Sequence, residues 1–351
     1  MTAETVSLRP VTEADLATWE SRFPVGTVFN SRDWFGAWLA TYARRPVVAE
    51  LRVNGGACDD EPVGAWMLES AGGIVRGAAA LGCDAQAPRW REPLSAGQQA
   101  EFTAQIANAL AHRPDVHLVD LREVPGSGGT VPDSPTVALA LPATFEAYLG
   151  QIPSHVRRDV RRGIGAVEAV PPDERGPAFA DLVRLHGARW RRRGLPGAFF
   201  GRRLVFHRRL IETPSVRMYR CVQAGRTVGV LYTLRDGEAV RYYQAGIDAS
   251  AAKISPGTAM IGAAIRDAIA DGYAIFDFLR GDERYKQQWR PQLRAQNGRF
   301  LLQGRSAMGR IAMPIGRTLM ALEQSLRARM EPTGHRAPHP ASGGGECPSN
   351  G

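Results

Sequence analysis

The chain has 351 residues, of which 44% are hydrophobic and 23% charged, so two domains can each bury a core and a wholly disordered protein is excluded. Its four cysteines are far apart and form no CxxC pair, which argues against a zinc site or a disulfide framework and for a reducing compartment. The polar, acidic N-terminus and the absence of eighteen consecutive apolar residues predict a cytoplasmic protein without a signal peptide or a membrane span.

The net charge of +9 is concentrated in one segment, because residues 155–217 contain fifteen arginines and six acidic residues. A basic surface attracts phosphates, and these can belong to a nucleotide cofactor, an RNA or a lipid headgroup. Solvated helix faces without any ligand are the alternative interpretation.

Residues 1–140 predict a first domain of mixed α/β type. Residues 125–136, rich in Gly, Pro and Ser, predict a loop, and a helical pattern resumes over 143–170. We therefore place the domain boundary near Leu141. The predicted elements before it are helices at 12–23 and 95–113 and strands at 46–53, 61–70 and 115–124.

Residues 141–330 predict a second domain that begins its sheet with an antiparallel meander, because turn dipeptides separate three runs of β-branched and aromatic residues. A helix with an apolar stripe and a short, buried strand follow the meander. The predicted elements are strands at 216–223, 227–235 and 239–247, a helix at 257–272, a strand at 273–279, a polar helical turn up to Trp289, a strand at 298–304 and a helix at 314–330. The composition of residues 331–351 predicts a disordered tail.

The loop before the helix at 257–272 has features of an anion site. Unpaired N–H groups and the positive end of the helix dipole point outward from the first turn of a helix. Gly257 lets a ligand approach the backbone, and Pro256 begins the helix without wasting a donor. Ser255 and Thr258 supply hydroxyls. An ordinary capped helix start is the alternative, since Ser-Pro-Gly at a helix start is a common pattern.

Residues 242–289 resemble the acyltransferase domain of the CelD/BcsL type, a branch of the GNAT superfamily related to the Fem peptidyltransferases. Weaker similarity extends to "HVRRDVRRGI", "HGARWRRRG" and "TVFNSRDWFGAWL". The resemblance rests on a tyrosine-rich strand, a Ser-Pro-Gly before a helix, and a Gly-x-Glu-x-Tyr-Lys-x-x-Trp segment. The matching positions are Tyr242, Tyr243, Gly246, Asp248, Ser255, Pro256, Gly257, Gly272, Asp277, Phe278, Gly281, Glu283, Tyr285, Lys286 and Trp289.

The resemblance implies two tandem GNAT-like domains, each a mixed, largely antiparallel sheet flanked by helices. It implies acetyl-CoA or another acyl-CoA as co-substrate, no metal, and a small-molecule, saccharide or amine acceptor. The pyrophosphate would lie at the helix start, where this sequence has Ile254 in place of the family's usual Gln or Arg. The implied donor-site residues are Gln244, Gly246, Ile254, Ser255, Pro256, Gly257, Thr258 and Ala259.

Direct acyl transfer needs a base for the acceptor, donors for the thioester oxyanion and an acid for the leaving thiolate. The candidates are Asp277 or Glu283 as base, N–H groups from Gln244 to Gly246 as oxyanion donors, and Tyr285 or Tyr243 as acid. Lys286, one of only two lysines, either keeps the base ionised or binds an anionic part of the acceptor. The alternative for Lys286 is a surface ion pair with Glu283 or Asp282.

Two rival functions remain at this stage. The first is a Fem-like peptidyltransferase that takes its donor from aminoacyl-tRNA, with the arginines of residues 155–217 holding the RNA. The second is a non-catalytic binding module that has kept the fold. In the acyltransferase interpretation, the first domain, which lacks a Ser-Pro-Gly helix start, is expected to form one wall of the acceptor cleft.

Overall fold

The computed structural model describes residues 4–42, 45–53, 61–78, 85–126, 129–192, 194, 197–248, 250–251 and 254–330. Cys58, Cys83, Cys347 and the predicted disordered tail at 331–351 lie outside the described residues.

The first half of the chain supplies seven strands and three helices among these residues. They are β1 (Glu4–Pro10), α1 (Glu13–Arg22), α2 (Arg32–Tyr42), β2 (Pro46–Val53), β3 (Gly64–Ala71), β4 (Ile74–Gly77), β5 (Arg89–Trp90), α3 (Ala96–Ala111), β6 (Leu118–Val124) and β7 (Val131–Ala140).

The second half supplies six strands and seven helices in the described part. They are α4 (Phe145–Gln151), α5 (Ser154–Gly163), β8 (Val167–Ala169), α6 (Arg175–Arg191), α7 (Gly201–Leu210), β9 (Val216–Gln223), β10 (Arg226–Arg235), β11 (Ala239–Ile247), α8 (Pro256–Ala270), β12 (Ile275–Arg280), α9 (Arg284–Gln287), β13 (Leu293–Gln303) and α10 (Ala307–Met330).

All these strands belong to one continuous sheet, and its two ends are arranged alike about the centre. The order is β1-β2-β3-β4-β6-β13-β7-β12-β11-β10-β9-β8, with β5 paired to β3. Two strand pairs, β4 with β6 and β11 with β12, are parallel, and the others are antiparallel. Each half thus contains an antiparallel meander, a helix and a parallel strand, and β13 and β7 join the halves at the centre. The predicted mixed, largely antiparallel sheet flanked by helices is confirmed.

Most of the predicted elements are observed at or near their predicted bounds. The meander of β9, β10 and β11 is confirmed, and Ser95 caps α3 as predicted. The last strand and the last helix begin earlier than predicted, at Leu293 and Ala307. The helical pattern predicted over 143–170 is broken at Pro153 and ends in the edge strand β8.

The loop predicted at 125–136 is wrong over its second part, because β7 already begins at Val131. Pro132 and Pro135 lack N–H groups, but only β13 pairs with this end of β7, since pairing with β12 starts at Thr136. Proline is tolerated in a strand where its missing N–H would face no partner strand. The carbonyl of Pro135 still accepts a hydrogen bond from the Gly281 N–H at 2.8 Å.

A shared core joins the two halves. Trp34 and Phe29 of the first half pack in one buried cluster with Phe206 and Tyr232 of the second half. Along β10, alternate residues face this cluster and a second one formed with α5 and α8, so α6 and α7 lie on the opposite face of the sheet from α8. This contact between the halves places Phe29 and Trp34 beside Tyr243 of β11.

Candidate active site

The parallel strands β11 and β12 diverge soon after they meet. They pair over only three positions, the last being Arg241 with Asp277, while β11 continues along β10 to Ile247. At Tyr243 the register between β10 and β11 shifts by one residue, and such a bulge increases the twist of a strand. The resulting gap between residues 242–247 and 278–280 is called the C-terminal cleft below.

A network of charged side chains lies at the point where the strands diverge. Arg241 pairs with the Asp277 carboxylate and donates from Nε to Asp236 at 2.8 Å. Asp236 also accepts the Val28 N–H of the first half at 3.0 Å. Asp277 accepts the Leu279 N–H at 2.7 Å, and Leu279 has a φ of +60°, a backbone conformation that side chains disfavour. Asp277, one of the two predicted bases, therefore binds Arg241 and the Leu279 N–H, and both contacts lie where the cleft begins.

Lys286 is a buried anchor. It is 2% exposed, and its Nζ donates to the carbonyls of Arg280 at 2.6 Å and Gly281 at 3.2 Å and lies 2.8 Å from Glu283 Oε2. Two of the three donors of the ammonium group thus bond carbonyl oxygens, Glu283 balances its charge, and a planar guanidinium would not reproduce this compact geometry. Between Glu283 and Asp282, the structure selects Glu283 as the partner of Lys286 and places the pair at the cleft instead of on a solvated surface.

Gly281 allows this arrangement. Its φ is +94°, and a Cβ built on it would lie 2.6 Å from Glu283 Oε2. The glycine thus lets the Glu283 carboxylate fold back over the backbone toward Lys286. The side chain of Glu283 nevertheless stays 38% exposed, so solvent and an acceptor can reach it.

Tyr242 and Tyr285 form a pair beside Glu283. Their ring centroids are 6.2 Å apart, and each hydroxyl affects the pKa of the other. Burial raises the pKa of Tyr242 to about 12, and burial, Tyr242 and Glu283 together raise the pKa of Tyr285. Both hydroxyls are consequently protonated at neutral pH and available as hydrogen-bond donors. The exposed Arg189 of α6 is close enough to oppose both of these pKa shifts.

Tyr243 lies in different surroundings from these groups. Its ring packs in the shared core against Phe29 and Trp34, and its hydroxyl is 3.3 Å from His207 Nε2. Burial lowers the pKa of His207 to about 3, so this imidazole is neutral. The structure brings Glu283, Tyr285 and Lys286 together, whereas Tyr243 lies apart from them in the shared core.

The first turn of α8 is open at its start. Ser255 is the N-cap residue, yet its side chain makes no capping hydrogen bond. A Cβ on Gly257 would lie 2.7 Å from Ile247 Cδ1, so the glycine lets the helix begin close to the end of β11. Ser255 is exposed and Thr258 half-buried. These residues can present N–H groups and hydroxyls to an anion.

The other predicted donor-site residues have packing roles. Pro256 and Ala259 are buried, and a Cβ on Gly163 of α5 would lie 2.7 Å from the Ala259 Cβ. Ile254 packs partly buried against the cluster under α8. Gln244 is half-buried beside the bulge.

Gly246 is needed by the helix above it. A Cβ there would lie 2.9 Å from the His186 N and from the Leu182 O, so α6 packs directly onto this part of β11. His186 Nδ1 is 3.3 Å from the Ala245 carbonyl oxygen. The helix thus covers one face of β11, while the edge of residues 242–247 that would face β12 has no pairing with it.

The first half repeats the same geometry with a different outcome. β4 and β6 pair in parallel over three positions that end at Arg76 with Asp120, which corresponds to Arg241 with Asp277. The gap beyond this pair is the N-terminal cleft. Gln86, 3% exposed, fills it: its N–H donates to the Glu123 carbonyl at 2.9 Å, and its side chain lies against Gly77.

The helix start beside the N-terminal cleft is also closed. Ser95 Oγ accepts the Gln98 N–H at 3.3 Å, and Gln98 Oε1 accepts the Ser95 N–H at 3.0 Å. Ser95 thus caps its helix through its side chain, whereas the Ser255 side chain makes no such bond at the start of α8.

The arginines of residues 155–217 do not form one surface. Those of α5 lie on the side of the sheet with α8, whereas those of α6 and α7 lie on the other side. Arg175 is buried and donates to the carbonyls of Ile211 and Thr213, and Arg217 pairs with Asp267 and Asp271.

Sequence reasoning did not assign roles to Arg241, Asp236 or Tyr242. The available signal was an internal repeat, since a Val-Arg pair precedes both clefts, at Arg76 and at Arg241, and each arginine meets an aspartate on the parallel strand.

Part of the chain matches a known domain family. Residues 154–287 match the acetyltransferase (GNAT) domain family. This matching segment covers less than half of the chain. It contains the C-terminal cleft, the open start of α8 and the Glu283 loop. No curated protein matches the chain in sequence.

Three solved structures share the fold of this chain over most of its length. FemX is 11% identical with a TM-score of 0.59, covering 85% of this chain and 97% of FemX. L-PGS from Bacillus licheniformis is 8% identical with a TM-score of 0.54, covering 89% and 98%. A conserved protein of unknown function from Bacteroides thetaiotaomicron VPI-5482 is 13% identical with a TM-score of 0.52, covering 85% and 100%.

Two further features are absent from the described residues. None of their helices is both long and apolar enough to cross a bilayer. No group of three or more His, Cys, Asp or Glu side chains among them is placed to hold a metal ion.

Proposed function

We propose that the chain transfers an acyl group from acyl-CoA to an amine or hydroxyl acceptor, by direct attack in a ternary complex, as an acyltransferase of the CelD/BcsL type. The observation that carries this proposal is the difference between the clefts. Of the two clefts, the C-terminal one lies beside a helix start whose N-cap side chain makes no capping hydrogen bond, and it lies inside the segment that matches the GNAT domain family.

The acyl-CoA pyrophosphate would bind the first turn of α8. The N–H groups of Gly257 and Thr258 and the hydroxyls of Ser255 and Thr258 supply donors, and the helix dipole favours the negative charge. The small residue at 257 supports this fit, because it leaves only the flexible end of Ile247 beside the backbone. Backbone N–H groups would bind the pyrophosphate in place of the Gln or Arg side chain that the family usually has at the position of Ile254.

Glu283 is the proposed base, and Asp277 a positioning residue. The acceptor nitrogen or oxygen attacks the thioester carbonyl carbon, Glu283 takes the acceptor's proton, and the carbon–sulfur bond breaks to release CoA thiolate. Lys286 fixes the Glu283 carboxylate through its ion pair and two carbonyl contacts. Tyr285 and Tyr242, both protonated, donate hydrogen bonds at the mouth of the cleft.

The first half, with the boundary proposed near Leu141, would form a wall of the acceptor cleft. Phe29 and Trp34 pack against Tyr243, and the Val28 N–H donates a hydrogen bond to Asp236, which also binds Arg241. Ligand sites are frequent between domains, and this contact lies beside β11.

A thermal-shift titration with acetyl-CoA, longer acyl-CoAs and free CoA tests the donor assignment. A ligand at about a hundred times its dissociation constant stabilises the folded state by about 2.7 kcal/mol, which raises the melting temperature by several degrees. A saturating shift that Gly257→Trp removes is the expected result. The absence of a shift with every CoA species would overturn the proposal.

The same titration with bulk tRNA addresses the Fem-like rival. RNA binding through phosphates falls by roughly 0.7 to 0.9 log units per log unit of salt for each phosphate neutralised. Binding of tRNA at low salt without any response to CoA would support that rival. A CoA response without loss of function in Glu283→Gln would support a non-catalytic module.

A further inference from the structure

The outer face of α10 carries an exposed apolar stripe. Its five large apolar side chains are each between 49% and 58% exposed, whereas most such side chains in this protein are buried. At about 100° per residue they fall within an arc of about 80° around the helix. They are Met308, Ile311, Ile315, Leu319 and Leu322.

The other sides of α10 have different tasks. Gly316 packs against Leu118 and Leu301 of the sheet, and Glu323 pairs with Arg122. The exposed arginines Arg310 and Arg317 lie roughly 140–160° around the helix from the middle of the stripe. The stripe is therefore separate from both the sheet contact and the charged side.

We propose that this stripe is the contact between two copies of the chain, with the two α10 helices packed antiparallel about a twofold axis. Each copy has a net charge of +9, so copies repel one another over most of their surface. The stripe has no charged residue, so it is a face on which two identical copies meet without like charges opposed. A twofold contact must be self-complementary, and an apolar stripe meets this condition.

Two other occupants fit less well. The chain's own segment 331–351 contains no Leu, Ile, Val, Met, Phe, Tyr or Trp that could cover the stripe. A helix that lies on an anionic membrane places basic residues beside its apolar face, whereas over the span from Met308 to Leu322 the arginines Arg310 and Arg317 lie on the other side of the helix.

The geometry also suits a helix pair. From Met308 to Ile311 and on to Ile315 the spacing is three and then four residues, which is the spacing of a coiled-coil seam. Ile315 is the middle residue of the stripe. In an antiparallel pair it lies near the twofold axis and faces its own counterpart.

Sedimentation velocity of the full chain over a dilution series tests the proposal. We expect a species of twice the 38.1 kDa chain mass that dissociates on dilution. Ile315→Arg should raise the dimer dissociation constant by at least about 100-fold, because two unpaired guanidinium groups would meet at the axis. Gln324→Arg adds the same charge on the arginine side of α10 and should leave association unchanged.

The uncharged Leu319→Gln provides a second variant, with circular dichroism as the check that each variant folds. It should also weaken the dimer. A monomeric wild-type chain at every concentration would overturn the proposal, as would a dimer that survives Ile315→Arg or is lost equally in Gln324→Arg. Co-sedimentation of a monomeric chain with phosphatidylglycerol vesicles would assign the stripe to a lipid surface instead.

Discussion

The two clefts of the sheet share a backbone plan and differ in what occupies it. In both, parallel strands separate after an Arg–Asp position, at Arg76 with Asp120 and at Arg241 with Asp277. The chain fills the first gap with Gln86 and closes the neighbouring helix start with a capping box. Beside the second gap, the side chain of Ser255 makes no capping hydrogen bond among the described residues. The same strand arrangement thus carries different side chains in the two halves, and the proposed donor site depends on that difference.

The largest expected effect comes from the proposed base of the C-terminal cleft. Glu283→Gln should reduce turnover by about 10²- to 10⁴-fold, the usual contribution of general base catalysis. Turnover is measured as release of CoA thiol in the presence of an acceptor. Asp282→Asn, which changes the neighbouring carboxylate bonded to Gln287 and Arg294, is the control and should retain activity. Equal losses in both variants would remove the special role of Glu283.

The Arg–Asp pair at the start of each cleft gives the next prediction. Arg241→Gln leaves Asp236 and Asp277, only 12% and 15% exposed, without their cation, and should destabilise the fold by about 3–5 kcal/mol. Arg76→Gln should change stability by less than about 1 kcal/mol, since Arg76 is 44% exposed and 4.0 Å from Asp120.

Asp120 also keeps its pairs with Arg122 and Arg299 when Arg76 is removed. Urea unfolding followed by circular dichroism gives both free energies of unfolding. Similar values for the two variants would mean that the Arg–Asp positions are equivalent despite their different burial.

The helix starts can be compared by adding the same bulk to each. Gly257 and Gly97 are both the second residue of their helices. Gly257→Trp should weaken CoA binding by at least about 100-fold, or about 2.7 kcal/mol, by covering the first turn of α8. A Cβ on Gly97 meets nothing within 4 Å, so Gly97→Trp should leave both stability and CoA affinity unchanged. Calorimetric titration with CoA distinguishes the two, and a loss of affinity in Gly97→Trp would contradict the assignment of one donor site.

Local patterns predicted the parts of the fold that depend on neighbouring residues. Turn dipeptides located β9, β10 and β11, and the stripe of Ile261 and Ile265 located α8, because these signals act within a few residues. The insertion of β13 between β6 and β7 joins residues more than 150 positions apart in part of its pairing, and no local pattern encodes it. β7 was missed because its prolines indicate a turn.

The candidate site was predictable to a similar degree. The resemblance located Glu283, Tyr285 and Lys286 in one segment, and the structure brings them together. The burial of Lys286 and its two carbonyl partners depends on the backbone of residues 280–281, which sequence spacing does not reveal. The roles of Arg241 and Asp236 depend on which strands become neighbours, and the Tyr243 bulge depends on the register with β10.

The smallest expected effect separates a structural cap from a ligand-binding serine. Ser95→Ala removes the acceptor of the Gln98 N–H and should lower the free energy of unfolding by about 0.5–2 kcal/mol. Ser255→Ala removes a hydroxyl that makes no capping bond, so stability should stay within about 0.5 kcal/mol. If the Ser255 hydroxyl donates to a phosphate, the same variant should weaken CoA binding by about tenfold, while Ser95→Ala leaves it unchanged. Matched losses of stability in the two variants would instead mean that both serines cap their helices in solution, and the open start of α8 would no longer distinguish the C-terminal cleft.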